Sequence, residues 1–387
     1  MEQEGITYDD TLLERFIPIA YDELTEELAS TGAFPGTLAR FAELLRSHYH
    51  ERFHHLLVGL KQGYLPFDPD SEYVTLRRYT EAEYGEMEER FLAEAAKLAN
   101  HANFEALTQE SLNAAVNETS PYGVEVSVDL GAFGAMQLFF RGSSLRREQK
   151  RAARSLYLKK ELITTPVYRR LLMLFRLGSE RRIYLKLFKE IPASDLEMLF
   201  PNTKVKIAFI DKIKLAVTGG GGTIGGAMTL VGKLASSLDP MALLGALGAF
   251  AAILWRQVSA VFSHRVKYMA RLAQNLYFYN LDNNAGVLSH LVAMAEAEEC
   301  KEALLAYAFL LRSGTGMTIE ELDGAIEAYI GSRFGVAIDF EIADAVGKLE
   351  TLGLVSEGAG RLYAVGMDAA VEILQDGSAP PLPKGAG

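Results

Sequence analysis

The sequence predicts an α+β protein anchored in a membrane, and three observations predict it. Two charge-poor segments, about 215–232 and 240–258, are joined by a short polar link. Residues 119–192 trade helical periodicity for alternation of apolar and polar side chains. Residues 1–118 and 264–366 carry apolar residues at spacings of three and four with charges between them, as amphipathic helices do.

The N-terminal part, 1–118, reads as helices over 12–29, 36–62 and 81–99, broken at 63–71 by LPFDPD. Over 119–192 the strand candidates are 124–130, 135–140, 162–168, 171–175 and 183–188. The first two are expected to form a hairpin around Gly131-Ala-Phe-Gly134 in a small antiparallel sheet. The linker and hairpin fill 193–263. After it, 265–279 and 287–311 read as helix on either side of LDNNAG, with Asp282-Asn283-Asn284 expected to cap helix ends. Helices at 301–311, 319–330 and 340–352, then short strands at 354–356 and 361–365, give a winged-helix-like order up to residue 366. The tail, 367–387, is expected to be disordered in part, from PPLPKGAG.

Composition narrows the function. A net charge of −11 argues against general polyanion binding, so no nucleic acid is expected. The third helix of the winged-helix-like part carries Asp339, Glu341, Asp344 and Glu350 against Lys348, which would repel phosphate; a protein partner or a second copy is the better occupant there. The single cysteine, Cys300, excludes an intrachain disulfide and a multi-cysteine zinc site. The opening MEQEGITYDDTLLERF is acidic and has no apolar run, unlike a secretory or transit segment.

The run TGGGGTIGGA admits two chemistries. Gly220-x-Gly222-x-x-Gly225 matches a dinucleotide fingerprint, with Asp239 at a workable distance for a ribose. Against it, no repeated βα units follow and no Tyr-x-x-x-Lys pair exists. The membrane reading accounts for more. Residues 215–232 would span about 27 Å as a helix, close to the ~30 Å hydrocarbon core. Gly221, Gly222, Gly225, Gly226, Gly245 and Gly248 would let the two helices pack closely. Lysines and arginines outside the pair, against Lys233 alone in the link, place both termini in the cytoplasm and make the protein an integral two-span one, with the lipid bilayer as a partner.

Two further constellations carry chemistry. His50-Glu51-Arg52-Phe53-His54 spells H-E-x-x-H, which on a helix puts His50 and His54 on one face for a zinc, with Glu51 as base. Arg52 inside the motif and the lack of an evident third ligand weigh against a zinc hydrolase. The basic stretch 141–160, with Arg146, Arg147, Lys150, Arg151 and Arg154, would suit anionic headgroups, or else a solvated helix linking two strands.

Three segments, YLKLFKEIPASDLEMLFPNTKVK (184–206), NLYFYNLDNNAGVLSHLVAMAEAEECKEALLAYAFLL (275–311) and DFEIADAVGKLETLGLV (339–355), resemble an uncharacterised family that includes transmembrane protein 143. FIPIAYDELTEEL (16–28) and YGVEVSVD (122–129) fit it less distinctively. The resemblance implies a two-helix membrane hairpin and no activity, cofactor or catalytic residue. The reading that follows is a membrane-anchored scaffold, adaptor or regulator without a cofactor, working through protein or lipid-surface contacts. A zinc-dependent hydrolase and a nucleotide-binding oxidoreductase are the alternatives.

Overall fold

The computed structural model describes residues 6–9, 14–31, 35–74, 76–108, 125–128, 130–151, 160–178, 180–200, 203–206 and 277–376. They fall into two units. The first joins 1–107, 134–190 and 281–387; the second joins 108–133 and 191–280.

In the first unit the helices are α1 (Tyr21–Thr31), α2 (Pro35–Tyr64), α3 (Glu81–His101), α4 (Ala285–Ser313), α5 (Ile319–Phe334), α6 (Ile342–Thr351) and α7 (Met367–Gln375). Their ends are written locally. Thr80 and Glu83 form a reciprocal capping box at the start of α3, and Thr318 and Glu321 do the same for α5. Gly314 and Gly335, both left-handed, close α4 and α5. Helix α4 is the centre of this unit: α1, α2, α3, α5 and α6 all pack on it. It therefore buries residues around its whole circumference, from Val287 to Leu310, rather than along one stripe. Phe41 of α2 stacks on Tyr307 of α4 at 4.2 Å, and both are buried.

The strands β1 (Ile6–Asp9), β4 (Phe133–Arg151), β5 (Lys160–Leu177), β6 (Ile183–Pro192) and β8 (Asn280–Asn283) form one sheet in that order, and β2 (Glu105–Ala106) also pairs with β4. Both β1 and β2 run antiparallel to β4. Residues Leu171 to Phe175 of β5 are all buried, so both faces of the sheet are covered there. The set Leu172, Leu174, Ile183, Leu185 and Leu187 joins the helical core.

In the second unit, β3 (Glu125–Val128) pairs antiparallel with β7 (Thr203–Lys206), and a 3-10 helix covers Ala193–Leu199. Phe133 meets Phe200 edge-on at 5.8 Å.

Several expectations change. Among the described residues no helix is long and apolar enough to cross a membrane. The membrane-anchored fold class and the integral two-span placement are corrected accordingly, leaving α+β with an antiparallel sheet. Segments 215–232 and 240–258, with Gly220, Gly221, Gly222, Gly225, Gly226, Gly245 and Gly248, lie outside the described residues. The expected hairpin of 124–130 with 135–140 does not form. Leu130–Ala132 is a 3-10 turn, and β4 already has β5 on one side and β1 and β2 on the other, so β3 pairs with β7 instead. The candidates 162–168 and 171–175 merge into β5. Arg146, Arg147, Lys150 and Arg151 lie on β4, not on a linking helix, with Arg146 and Arg147 opposite Tyr8 and Thr7; Arg154 lies outside the described residues. Helix α1 starts at Tyr21 rather than near residue 12, because Pro18 lacks an amide hydrogen and the Ile17 amide is bound by Glu298 instead of by a helical carbonyl. NLDN (280–283) is a strand, β8, and 367–375, counted with the tail, forms α7.

Truncation of Phe41 to Ala removes a ring from the packed α2–α4 seam. Equilibrium urea unfolding is expected to show a loss of about 3–5 kcal/mol, the range for a buried aromatic.

Candidate functional site

The most unusual chemistry of the first unit is a short run inside α4: Glu298, Glu299, Cys300, Lys301 and Glu302 are all buried. Ionised groups are rarely buried unless paired, because desolvation costs several kcal/mol per ion. Each charge must therefore be answered from another element.

Glu298 is answered twice. Its Oε1 accepts from Arg141 of β4 at 2.7 Å and from Lys301 one turn on at 2.6 Å. Its Oε2 accepts from the Ile17 amide at 3.0 Å, while Lys301 donates to the Ile17 carbonyl. The pair Glu298 and Lys301 thus takes both backbone groups of one residue in an irregular strap. The strap, residues 14–19, is fixed elsewhere too. Its Glu14 amide donates to Ala337 and its Glu14 carbonyl accepts from Asp339. The Arg15 carbonyl accepts from Asn103 at 2.8 Å, and Arg141 lies over the Phe16 ring at 4.3 Å. Gly142, at φ +68°, allows the close approach: a Cβ there would lie 2.8 Å from both Glu14 and Phe16.

Glu299, at 0% exposure, faces His101 Nδ1 of α3 at 2.7 Å, Lys348 of α6 at 3.3 Å and Arg52 of α2 at 3.6 Å. Glu299 is thus faced by two cations, Lys348 and Arg52, and by a ring nitrogen of His101. Glu302 accepts from Asn103 Nδ2 at 3.0 Å and lies 3.6 Å from Lys348, whose ammonium also pairs with Asp344.

The two neighbouring glutamates titrate in opposite directions. Burial pushes Glu299 up, but His101, Lys348 and Arg52 together outweigh it and hold the carboxyl below its ordinary range. Burial dominates at Glu302, helped by the charges of Glu298 and Asp344, and raises it to about 7 against the pull of Lys348 and Asn103. The partners explain the split: Glu299 has His101 and Arg52 besides Lys348, whereas Glu302 has only Lys348 and Asn103 and carries the like charges of Glu298 and Asp344 against it. Burial lowers Lys301 and Arg141 despite Glu298. On Lys348 the burial penalty is outweighed by Glu299, Glu302 and Asp344, so its pKa rises. Burial pushes the Cys300 thiol up, which leaves it the unreactive neutral form.

This cluster was not legible as a site. In sequence AEAEECKEALL (295–305) reads as a charged helix face turned to water. The one available cue was that charges crowd every side of α4 while its flanking turns are apolar.

The residues singled out by sequence are placed as follows. His50 and His54 lie one turn apart on α2, and Glu51 is exposed beside them. His50 Nδ1 contacts Glu296, and Arg52 is held at Glu299. Among the described residues no three His, Cys, Asp or Glu side chains converge to hold a metal. Asn284 stands at the start of α4 but does not cap it. Its side chain instead donates to Asp70 at 2.5 Å and accepts from Tyr64 and Leu185, each at 3.3 Å. The acidic face expected around α6 is partly answered within the chain, by Lys348 at Asp344 and by Arg15, 3.8 Å from both Asp339 and Glu341.

Two outcomes test the network. Glu298→Ala leaves Arg141, Lys301 and the Ile17 amide without their acceptor; a stability loss of about 3–5 kcal/mol is expected, with amide exchange at 14–19 accelerating before the rest. Glu302→Gln tests the sign. A carboxyl raised in the folded state contributes stability below its unfolded pKa and loses it as pH rises through about 7. Relative to wild type, Glu302→Gln should gain up to about 3 kcal/mol between about pH 5 and about pH 8, read from denaturant midpoints at each pH.

Comparison with known proteins adds one match. A family model described as a protein of unknown function (DUF3754) matches residues 135–286, the stretch that contains β5 and β6, most of β4, and Arg141. No solved structure matches the chain. A domain of unknown function, DUF3754, is thus found at residues 135–286.

Proposed function

We propose that the protein is a non-catalytic interaction module, a scaffold, adaptor or regulator that presents apolar surface to a protein partner. The observation that carries this is the loop between α2 and α3. Tyr73, Val74 and Leu76 are 77%, 86% and 97% exposed. The stem of that loop is ordered. The Asp70 amide donates to Asp68 Oδ1 at 3.0 Å on one side, and on the other Arg77 donates to Glu83 at 2.8 Å within the capped start of α3. Full burial of a Val or Leu side chain contributes about 1.5–3 kcal/mol, so these exposed side chains offer a partner substantial affinity. Exposed anchors of this kind mark contact sites.

The ionisable groups of the core support the absence of catalysis. Glu298, Glu299 and Glu302 are buried and face cations of their own chain, in positions that organise the fold rather than meet a substrate. The narrower kinship with the family that includes transmembrane protein 143, carried by 184–206, 275–311 and 339–355, brings no activity with it. It is compatible with this reading.

The test is Val74→Asp combined with Leu76→Asp in the full chain. Thermal unfolding should be unchanged, because neither side chain is buried. Size exclusion of native extract should show the chain moving from a larger assembly to its own mass. A wild-type chain that already elutes alone, or a variant that elutes with wild type, overturns the reading.

A further inference from the structure

We propose that His50 and His54 form an open surface site for a late-transition divalent cation such as zinc, with Nε2 of each ring as ligand and Glu296 orienting His50. The two rings sit one turn apart on α2, with centroids 6.5 Å apart and planes tilted by 33°. A helix places such a pair on one face, so a single ion can reach both nitrogens.

The second observation comes from α4. His50 Nδ1 lies 3.1 Å and 3.3 Å from the two oxygens of Glu296. A carboxylate facing Nδ1 favours the neutral tautomer with its proton on Nδ1, the form that offers the Nε2 lone pair to a metal. Metal-bound imidazoles are held in their ligand tautomer by this same contact, which also raises the basicity of the ligand nitrogen. The His50 side chain is 70% exposed, so the ion can enter from solvent without opening the core.

No third protein ligand converges among the described residues, so water completes the coordination. The site is therefore exchangeable rather than structural. Glu51 is exposed and no ligand, and Arg52 is engaged with buried Glu299. The motif is thus used for binding and not for hydrolysis. This site stands apart from the apolar loop and does not depend on it.

The experiment is calorimetric titration of the metal-free full chain with zinc chloride, with circular dichroism to confirm the fold of each variant. One zinc per chain is expected. His54→Ala, an exposed substitution that leaves the core intact, should abolish binding at stoichiometric concentrations, as should His50→Ala. Glu296→Gln should weaken binding by about tenfold or more. Glu51→Gln should bind like wild type. Binding that survives His54→Ala, or that Glu296→Gln leaves unchanged, overturns the site. Zinc-dependent hydrolysis lost in Glu51→Gln would instead overturn the non-catalytic function, while the zinc isotherm stayed as it is.

Discussion

A helix that buries three glutamates and a lysine within five residues cannot stand alone, and this constraint organises the first unit. Glu298, Glu299, Lys301 and Glu302 require partners that their own helix supplies only once, through the pairing of Glu298 with Lys301. The rest comes from Arg141 of β4, Arg52 of α2, His101 of α3 and Lys348 of α6. Replacing a buried ion network by apolar side chains is often neutral or stabilising, so such a network is not explained by stability alone. What it does here is discriminate. An apolar α4 would accept neighbours in several registers, whereas a displaced α6 or β4 would leave a carboxylate buried without a cation.

The strap over residues 14–19 shows the same logic applied to backbone. An irregular segment laid against a helix has no ladder to satisfy its amides and carbonyls. Glu298 and Lys301 supply one acceptor and one donor for Ile17, and Asn103 supplies a donor for Arg15. Asn103 can do so because it sits in the left-handed region, at φ 58°, directly after α3, where Asn is better tolerated than most residues. The strap is thus tied to α4 by charge and to the end of α3 by one amide.

Sequence and structure agree where the determinants are local. The periodicity of 36–62 and 81–99 and the caps Thr80-x-x-Glu83 and Thr318-x-x-Glu321 lie within a few residues of what they determine. They disagree where the determinant is distant. A four-residue strand such as β3 finds its partner in β7, past β4, β5 and β6 in the chain, and nothing near Glu125 announces it. The buried run in α4 was illegible for a related reason. Periodicity sorts charged residues to the solvent face, and only the position of α4 at the centre of five other helices removes that face. The apolar segments 215–232 and 240–258 were the loudest signal in the sequence, yet the buried network of α4 and the His50–Glu296 contact are carried by quieter residues.

The difference between the two ends of the α2–α4 seam follows from dielectric. Positions 50 and 52 of α2 project from different sides of the helix, and each meets a carboxylate of α4, three residues apart: His50 with Glu296, Arg52 with Glu299. Glu299 is sealed, so its charge is felt strongly and must be answered, which fixes Arg52, His101 and Lys348 in place. Glu296 lies near the edge, where water screens the contact and a surface ion pair contributes at most about 1 kcal/mol. A contact that weak does not hold a fold together. It is sufficient to choose a tautomer, because the two neutral forms of an imidazole differ little in energy and one oriented acceptor decides between them. The same seam therefore has a centre in which charge sets architecture and a rim in which charge is left to prepare a ligand.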